Sequence, residues 1–102
     1  MELDRTPLDG MLLAVLDEAP LHGYAVIERI RKRSAGGFAL PEGTVYPALH
    51  RLERAGFLHA TWTTADGRRR KTYALTRKGR AALDRRRTDW QTYARAVRAV
   101  LA

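Results

Sequence analysis

The residues best equipped to bind another molecule lie in the stretch EGTVYPALHRLERAG, positions 42–56. It carries the hydrogen-bonding or cationic side chains of Thr44, Tyr46, His50, Arg51 and Arg54. Arg51 is the best candidate for a base contact, because an arginine can donate two parallel N–H groups to a guanine in the DNA major groove. Arg54, about one turn further on, is expected to meet a phosphate. The competing interpretation is an ordinary surface helix with solvated charges.

Apolar residues in the same stretch have the spacing of one helix. Val45, Leu49 and Leu52 recur at steps of three and four, so they line one face and leave the polar residues on the others. Gly56 is suited to end the helix, since glycine adopts the left-handed conformation at little cost. Pro47 lies inside the pattern and predicts a kink or a tight first turn, because proline lacks the backbone donor.

A second basic cluster follows in a predicted β-hairpin. Leu58, Ala60 and Trp62 alternate with polar residues, Asp66-Gly67 is a strong turn signal, and residues 72–75 form a returning strand. Four consecutive cations lie at the tip: Arg68, Arg69, Arg70 and Lys71. They repel one another, and a polyanion would relieve this repulsion. We therefore predict that they contact phosphates or enter the minor groove. The alternative is a solvated loop that keeps an edge strand from aggregating.

Two more helices precede the central one. The first is predicted from about Pro7 to Glu18, with a capping box formed by Thr6 and Asp9. The second is predicted over residues 22–33. Its basic last turn complements the helix dipole and has phosphate contact as an alternative role. Residues 38–40 are expected to form a very short strand or an extended link.

The last predicted helix runs from Arg77 to the end of the chain, with Thr76 as its cap. Leu83, Trp90 and Val97 repeat at heptad spacing, so one side of this helix is apolar. A helix of this kind is not stable alone in water. We expect it to pack both on its own domain and on a second copy of the chain.

Composition restricts the classes of function. The chain has 102 residues, a formal charge of +8, a sequence pI of about 10.8 and no cysteine. This length fits one domain, and the excess of positive charge indicates a polyanionic partner, most often nucleic acid. The lack of cysteine excludes disulfides and thiolate metal sites. Without an apolar run that could cross a bilayer or a signal-peptide pattern, we expect a soluble cytoplasmic protein without a membrane partner.

Catalysis is not expected. The three histidines, His22, His50 and His59, are each alone in their segments. The sequence has no nucleophile–base pair, phosphate-binding glycine loop or metal-ligand spacing. We therefore predict neither an enzyme nor a protein with a metal or another cofactor.

The order helix, helix, helix, hairpin, helix predicts a winged helix-turn-helix. In this mainly α fold with a two-stranded β-hairpin, the third helix enters the major groove and the hairpin, or wing, reaches the adjoining backbone. The predicted division is a DNA-binding domain over residues 1–76 and a C-terminal dimerisation helix over residues 77–102. The partners expected are double-stranded DNA and a second copy of the chain.

Three segments resemble the PadR-type transcriptional regulators: HGYAVIERI, GTVYPALHRLERAGFL and GRRRKTYALTRKGRAAL. The resemblance extends from about Leu12 to Leu83, and the family also carries the Tyr-Pro pair within this helix. It implies a homodimeric repressor that binds an inverted repeat. Because the chain ends about one helix after the wing, it is similar to the smaller subgroup, which has a single C-terminal dimerisation helix.

Members of that subgroup include repressors that hold flat aromatic ligands at the dimer centre, against a tryptophan that Trp90 matches. The resemblance thus implies a possible small-molecule effector, although Trp90 has a simpler alternative role as a dimer-core anchor. Arg86 and Arg87 depart from an apolar pocket and favour an anionic or neutral ligand over a planar cation. The residues expected in the effector pocket and dimer interface are Met11, Val15, Leu83, Trp90, Tyr93, Ala94, Val97 and Leu101.

Two other functions fit parts of the pattern. A basic protein that coats nucleic acid without sequence preference would explain the charge but not the combination of a wing and an apolar last helix. A winged-helix adaptor that binds other proteins would explain the fold but not the basic wing.

Overall fold

The computed structural model describes residues 7–102 and has the predicted order of elements. Four α-helices and a small antiparallel sheet form a winged helix-turn-helix followed by a long last helix, so the predicted fold class is confirmed. The elements are α1 (Leu8–Glu18), β1 (Leu21–His22), α2 (Gly23–Arg33), α3 (Glu42–Arg54), β2 (Leu58–Ala65), β3 (Arg68–Leu75) and α4 (Arg77–Leu101).

Helix α1 lies at the centre of the hydrophobic core. It contacts α2, α3, β3 and the start of α4, because its apolar residues surround more than half of its circumference. Each of the other elements contributes one apolar face. The buried apolar residues of α1 are Leu12, Leu13, Val15 and Leu16.

The start of α1 differs from the capping box that the sequence suggested. Pro7 occupies the N-cap position, and no side chain caps the helix there. Thr6 lies outside the described residues. Asp9 is 7% exposed, and its carboxylate accepts hydrogen bonds from arginines of α3 and α4 instead.

The wing is part of a sheet with three strands, in the order β1-β3-β2. The hairpin turn is confirmed, with Asp66 and Gly67 both at positive φ, 52° and 74°. Strand β1 was not predicted; its two residues pair with Tyr73 and Thr72. His22 therefore precedes α2 rather than beginning it, and residues 38–40 form no strand.

The end of α3 is bonded to the start of α4. Gly56 has a φ of 84°, and the Phe57 N–H donates to the Leu52 carbonyl at 3.0 Å, which is the glycine-ended helix stop that the sequence predicted. The Thr76 hydroxyl donates to the Gly56 carbonyl at 2.7 Å and accepts from the Gly79 N–H at 3.0 Å. Thr76 thus caps α4, as predicted, and fixes it to the last turn of α3.

Beyond its first turns, α4 leaves the body of the domain. Its buried residues are Gly79, Ala82 and Leu83, all near its N-terminal end. The molecule is elongated, with extents of 54 × 29 × 22 Å. Within residues 7–102, no helix is both long and apolar enough to span a membrane.

We expect Gly79→Ala to destabilise the protein by about 3 kcal/mol, because an overpacked contact must be relieved by moving backbone. A Cβ at this position would lie 2.1 Å from the Phe57 carbonyl oxygen. Gly43→Ala is the matched control, since a Cβ at that helical position meets nothing within 4 Å. The control should be neutral or slightly stabilising. Urea denaturation of both variants measures the difference, and equal stabilities would contradict the tight contact.

Candidate nucleic-acid interface

Helix α3 presents one continuous exposed stripe. Val45, Ala48, Leu49 and Leu52 are buried against the rest of the domain. At 100° per residue, the stripe opposite this buried face carries no large apolar side chain. It consists of Gly43, Pro47, His50 and Arg54, all exposed.

The residues predicted to read DNA do not all share this stripe. Thr44 is exposed at one edge of it. Tyr46 is partly buried on the other side, where its ring packs on α2: a Cβ on Gly23 would lie 2.3 Å from the Tyr46 Cε1 atom. Burial raises the pKa of the Tyr46 phenol. The expectation that Tyr46 faces bases is therefore corrected. Because Gly23 has no side chain, the Tyr46 ring packs directly against α2 and holds α2 on α3.

Arg51 is also placed differently from the prediction. Its Nη1 donates to Asp9 Oδ2 at 2.7 Å and its Nη2 to Asp9 Oδ1 at 2.9 Å, and this pairing raises the pKa of the guanidinium. Glu53, which binds the wing, lies about 160° away around the helix. Arg51 thus lies on the α1 side of the stripe and not on the wing side.

The wing has two faces that carry different cations. On one face, the Lys71 ammonium pairs with Glu53 of α3 at 3.0 Å, and this bond raises the pKa of Lys71. On that face too, the Arg69 guanidinium stacks over the Trp62 ring at 4.8 Å. The Lys71–Glu53 pair attaches the wing to the edge of α3. The Trp62 contact holds the Arg69 side chain along an exposed indole.

On the other face of the wing, Arg70 reaches His22. Its Nη1 atom lies 3.2 Å from His22 Nε2. The Nδ1 atom of the same ring accepts the Ala25 N–H at 3.3 Å, so a neutral His22 carries its proton on Nε2. Two nitrogen donors then lie 3.2 Å apart beside the start of α2, and an anionic oxygen that bridged them would accept from both.

Charge is not neutralised at the tip of the wing. Arg68, Arg69 and Arg70 form no ion pair with any carboxylate of residues 7–102. Lys71 is the exception among the four predicted phosphate-binding residues. Sequence reasoning missed His22 and Trp62 as part of this surface, because the alternation placed Trp62 on the apolar face with Leu58 and the second helix was predicted to include His22.

A cavity of about 510 Å³ lies between α1 and α4. Four of the residues predicted for an effector pocket line it: Met11, Leu83, Trp90 and Tyr93. Arg86 and Arg87 also line it, and the rings of Trp90 and Tyr93 lie 5.4 Å apart.

The other predicted pocket and interface residues lie elsewhere. Val15 is buried in the domain core, so its assignment to the pocket or interface is wrong. Ala94 is partly buried, whereas Val97 and Leu101 extend the exposed apolar side of α4 beyond the cavity.

Comparisons with known proteins identify the family and agree with the overall fold. Residues 12–85 match the Transcriptional regulator PadR-like family. Over 77 residues the chain is 38% identical to the transcriptional regulator Rv3488 of Mycobacterium tuberculosis, covering 76% of this chain and 69% of the relative. A PadR family transcription regulator of Clostridium difficile R20291 superposes with a TM-score of 0.83 at 27% identity, covering 95% and 100% of the two chains. The structure of a transcriptional regulator from Clostridium thermocellum, Cth-833, has a TM-score of 0.87 at 23% identity, covering 94% of both chains.

We expect Arg68→Gln and Arg70→Gln each to weaken binding to duplexes of any sequence. Each change should lower the slope of log affinity against log salt concentration by about one, because one phosphate contact and its released counterion are lost. Arg95→Gln, an exposed position on α4, removes the same charge away from the wing. Fluorescence anisotropy across a salt series measures the slopes, and wing variants that match the Arg95 control would exclude the wing from the interface.

Proposed function

Because the chain belongs to the PadR-like family of transcriptional regulators, we propose that it represses transcription as a homodimer bound to an inverted-repeat operator. The main support is the exposed stripe of α3, which lies beside a wing whose arginines have no carboxylate partners in residues 7–102. A helix fits the major groove, and a basic loop beside it fits the backbone. The family and its structural neighbours are regulators and not enzymes.

Recognition of the DNA base sequence is assigned to the exposed stripe of α3 and its edges. Thr44, His50 and Arg54 project from the face that has no contact with the core. Because Gly43 has no side chain and Pro47 has a compact one, the helix backbone can approach the groove closely on this face. The wing residues Arg68 to Lys71 then hold the register through phosphates, which supply affinity without sequence information.

Dimerisation is assigned to the projecting part of α4. Trp90 is 51% exposed and Leu101 80% exposed, and Val97 lies on the same side between them. Such a stripe at heptad spacing is suited to pack against its own copy. A two-fold dimer would present two α3 helices, which reach successive major grooves when they are roughly 34–36 Å apart. Residues 7–76 then form the described part of the DNA-binding domain and residues 77–102 the dimerisation helix.

The cavity between α1 and α4 is proposed as the effector site. Its wall combines the rings of Trp90 and Tyr93 with Arg86 and Arg87, a lining that suits an aromatic ligand that is anionic or neutral. A ligand changes DNA affinity only if it binds one dimer arrangement better than another. As a DNA-binding regulator, the protein is proposed to act in the cytoplasm.

We expect selection from a random duplex library to yield a two-fold symmetric sequence. At fixed salt, the protein should bind that duplex about a thousandfold or more tightly than a shuffled one, as specific regulators do. Equal affinity for both duplexes would support a basic protein without sequence preference. No binding to either duplex would support a winged-helix adaptor for other proteins. Reporter transcription from a promoter that contains the selected site then distinguishes repression from activation.

We expect Val97→Asp to separate the dimer, because it buries a charge in an apolar interface without changing the domain core. Thr92→Asp is the matched control, since it lies about 140° away around α4 and is exposed. Sedimentation velocity at micromolar concentration should give a monomer for Val97→Asp and a dimer for the control. Operator affinity should fall only for the first variant. A Val97→Asp dimer would place the interface elsewhere.

A further inference from the structure

The strongest buried polar cluster of the described residues joins three helices. Asp9, on the first turn of α1, is 7% exposed and accepts two N–H groups from Arg51 of α3, at 2.7 and 2.9 Å. Arg86 of α4 donates to Asp9 Oδ2, which also accepts from Arg51 Nη1, at 3.4 Å. A buried carboxylate is stable only when such donors replace its water. Arg51 is its closer partner and binds both of its oxygens.

The pairing uses only one edge of the Arg51 guanidinium. Nη1 and Nη2 each donate one N–H to Asp9, which leaves the Nε–H and the neighbouring outer N–H as a second pair of parallel donors. Among residues 7–102, no acceptor binds this second edge. The Arg51 side chain is 54% exposed and borders the exposed stripe of α3, next to Pro47 on the helical wheel.

We propose that Asp9 is a positioning residue for base recognition: it holds Arg51 so that the second edge of the guanidinium donates to a guanine at the operator. The proposal rests on the proposed DNA binding. A long arginine side chain normally loses conformational freedom when it binds, and a carboxylate that already fixes the planar group removes most of that cost. Base contact and Asp9 contact occur together, because they use different N–H groups.

This assignment also explains why a buried acid lies behind a surface that is proposed to bind a polyanion. Asp9 repels phosphates, and its removal should strengthen binding to an arbitrary duplex. Its benefit appears only where Arg51 meets the correct base. Asp9 therefore lowers affinity for random DNA and raises affinity for the operator, which are opposite effects on the two duplexes.

The test is the variant Asp9→Asn, titrated at fixed salt with the selected duplex and with a shuffled duplex. We expect the ratio of the two affinities to fall about tenfold or more, as for loss of one bidentate base contact. Affinity for the shuffled duplex should stay equal or rise. A purely structural role would lower both affinities in parallel, together with the melting temperature, and that result would overturn the proposal.

Asp17→Asn is the matched control. It removes one negative charge from the same helix, where Asp17 pairs with Arg80 at 3.2 Å, remote from Arg51. It should raise affinity for both duplexes alike and keep their ratio. In an Arg51→Gln background, Asp9→Asn should change the ratio no further. An undiminished effect in that background would show that Asp9 acts through another residue.

Arg51→Lys supplies the result if Asp9→Asn does not fold. Lysine keeps the charge but has no planar pair of donors. We expect the same loss of selectivity at one base-pair position and little change with the shuffled duplex; unchanged selectivity would reject the proposal. Failure here is distinct from failure of the proposed function, because in the latter case the wild-type protein would bind no selected duplex preferentially.

Discussion

The end of α3 shares its backbone hydrogen bonds with the start of α4, and the arrangement of the functional surfaces depends on this junction. The last carbonyls of a helix lack partners within it and must find them elsewhere. Here Thr76 donates to Gly56 and Lys78 to Ala55, at 2.7 and 2.9 Å. The absence of a side chain on Gly79 lets α4 approach the Phe57 carbonyl. Helices α3 and α4 thus meet at one closely bonded corner.

The polar contacts of the domain follow a division between structure and binding. Acidic residues close to α3, namely Asp9 and Glu53, each hold a cation that the sequence had marked for DNA. Among the cations of α3 and the wing, those without a carboxylate partner in residues 7–102 are Arg54 on the exposed stripe and Arg68, Arg69 and Arg70 at the wing tip. The chain has a net charge of +8. Near α3, carboxylates neutralise the cations that lie where the helices and the wing meet. They leave unpaired the cations that lie where a duplex is proposed to bind.

The sequence predicted most of the fold because its local signals agree with one another. The apolar spacing in α3, the left-handed Gly56 and the Asp66-Gly67 turn each specify one backbone conformation, and all three are observed. Strand β1 escaped prediction because two residues give no periodicity, and it exists only through its pairing with β3. Val15 was misassigned because it faces the domain core, whereas the side of α1 that borders the cavity carries Met11.

The candidate site was harder to predict, since the position of a long side chain depends on what lies across the fold. Arg51 is 42 residues from Asp9 in sequence, and no local pattern reveals that pairing. Likewise, the ring of Tyr46 turns inward because Gly23 leaves space for it. Residue type showed which side chains can bind nucleic acid, but tertiary contacts decide which of them remain available.

Two connections relate α4 to α3, and they differ in kind. The junction at Thr76 and Gly79 is short and closely packed, so a rotation of α4 would move the end of α3 with it. The link from Arg86 through Asp9 to Arg51 is made by side chains, with one long contact at 3.4 Å, so it can lengthen or break at lower cost. Arg86 also lines the cavity beside Trp90. A change at the cavity therefore has two physical routes to α3: one alters where α3 lies, and the other alters how firmly Arg51 is held on it.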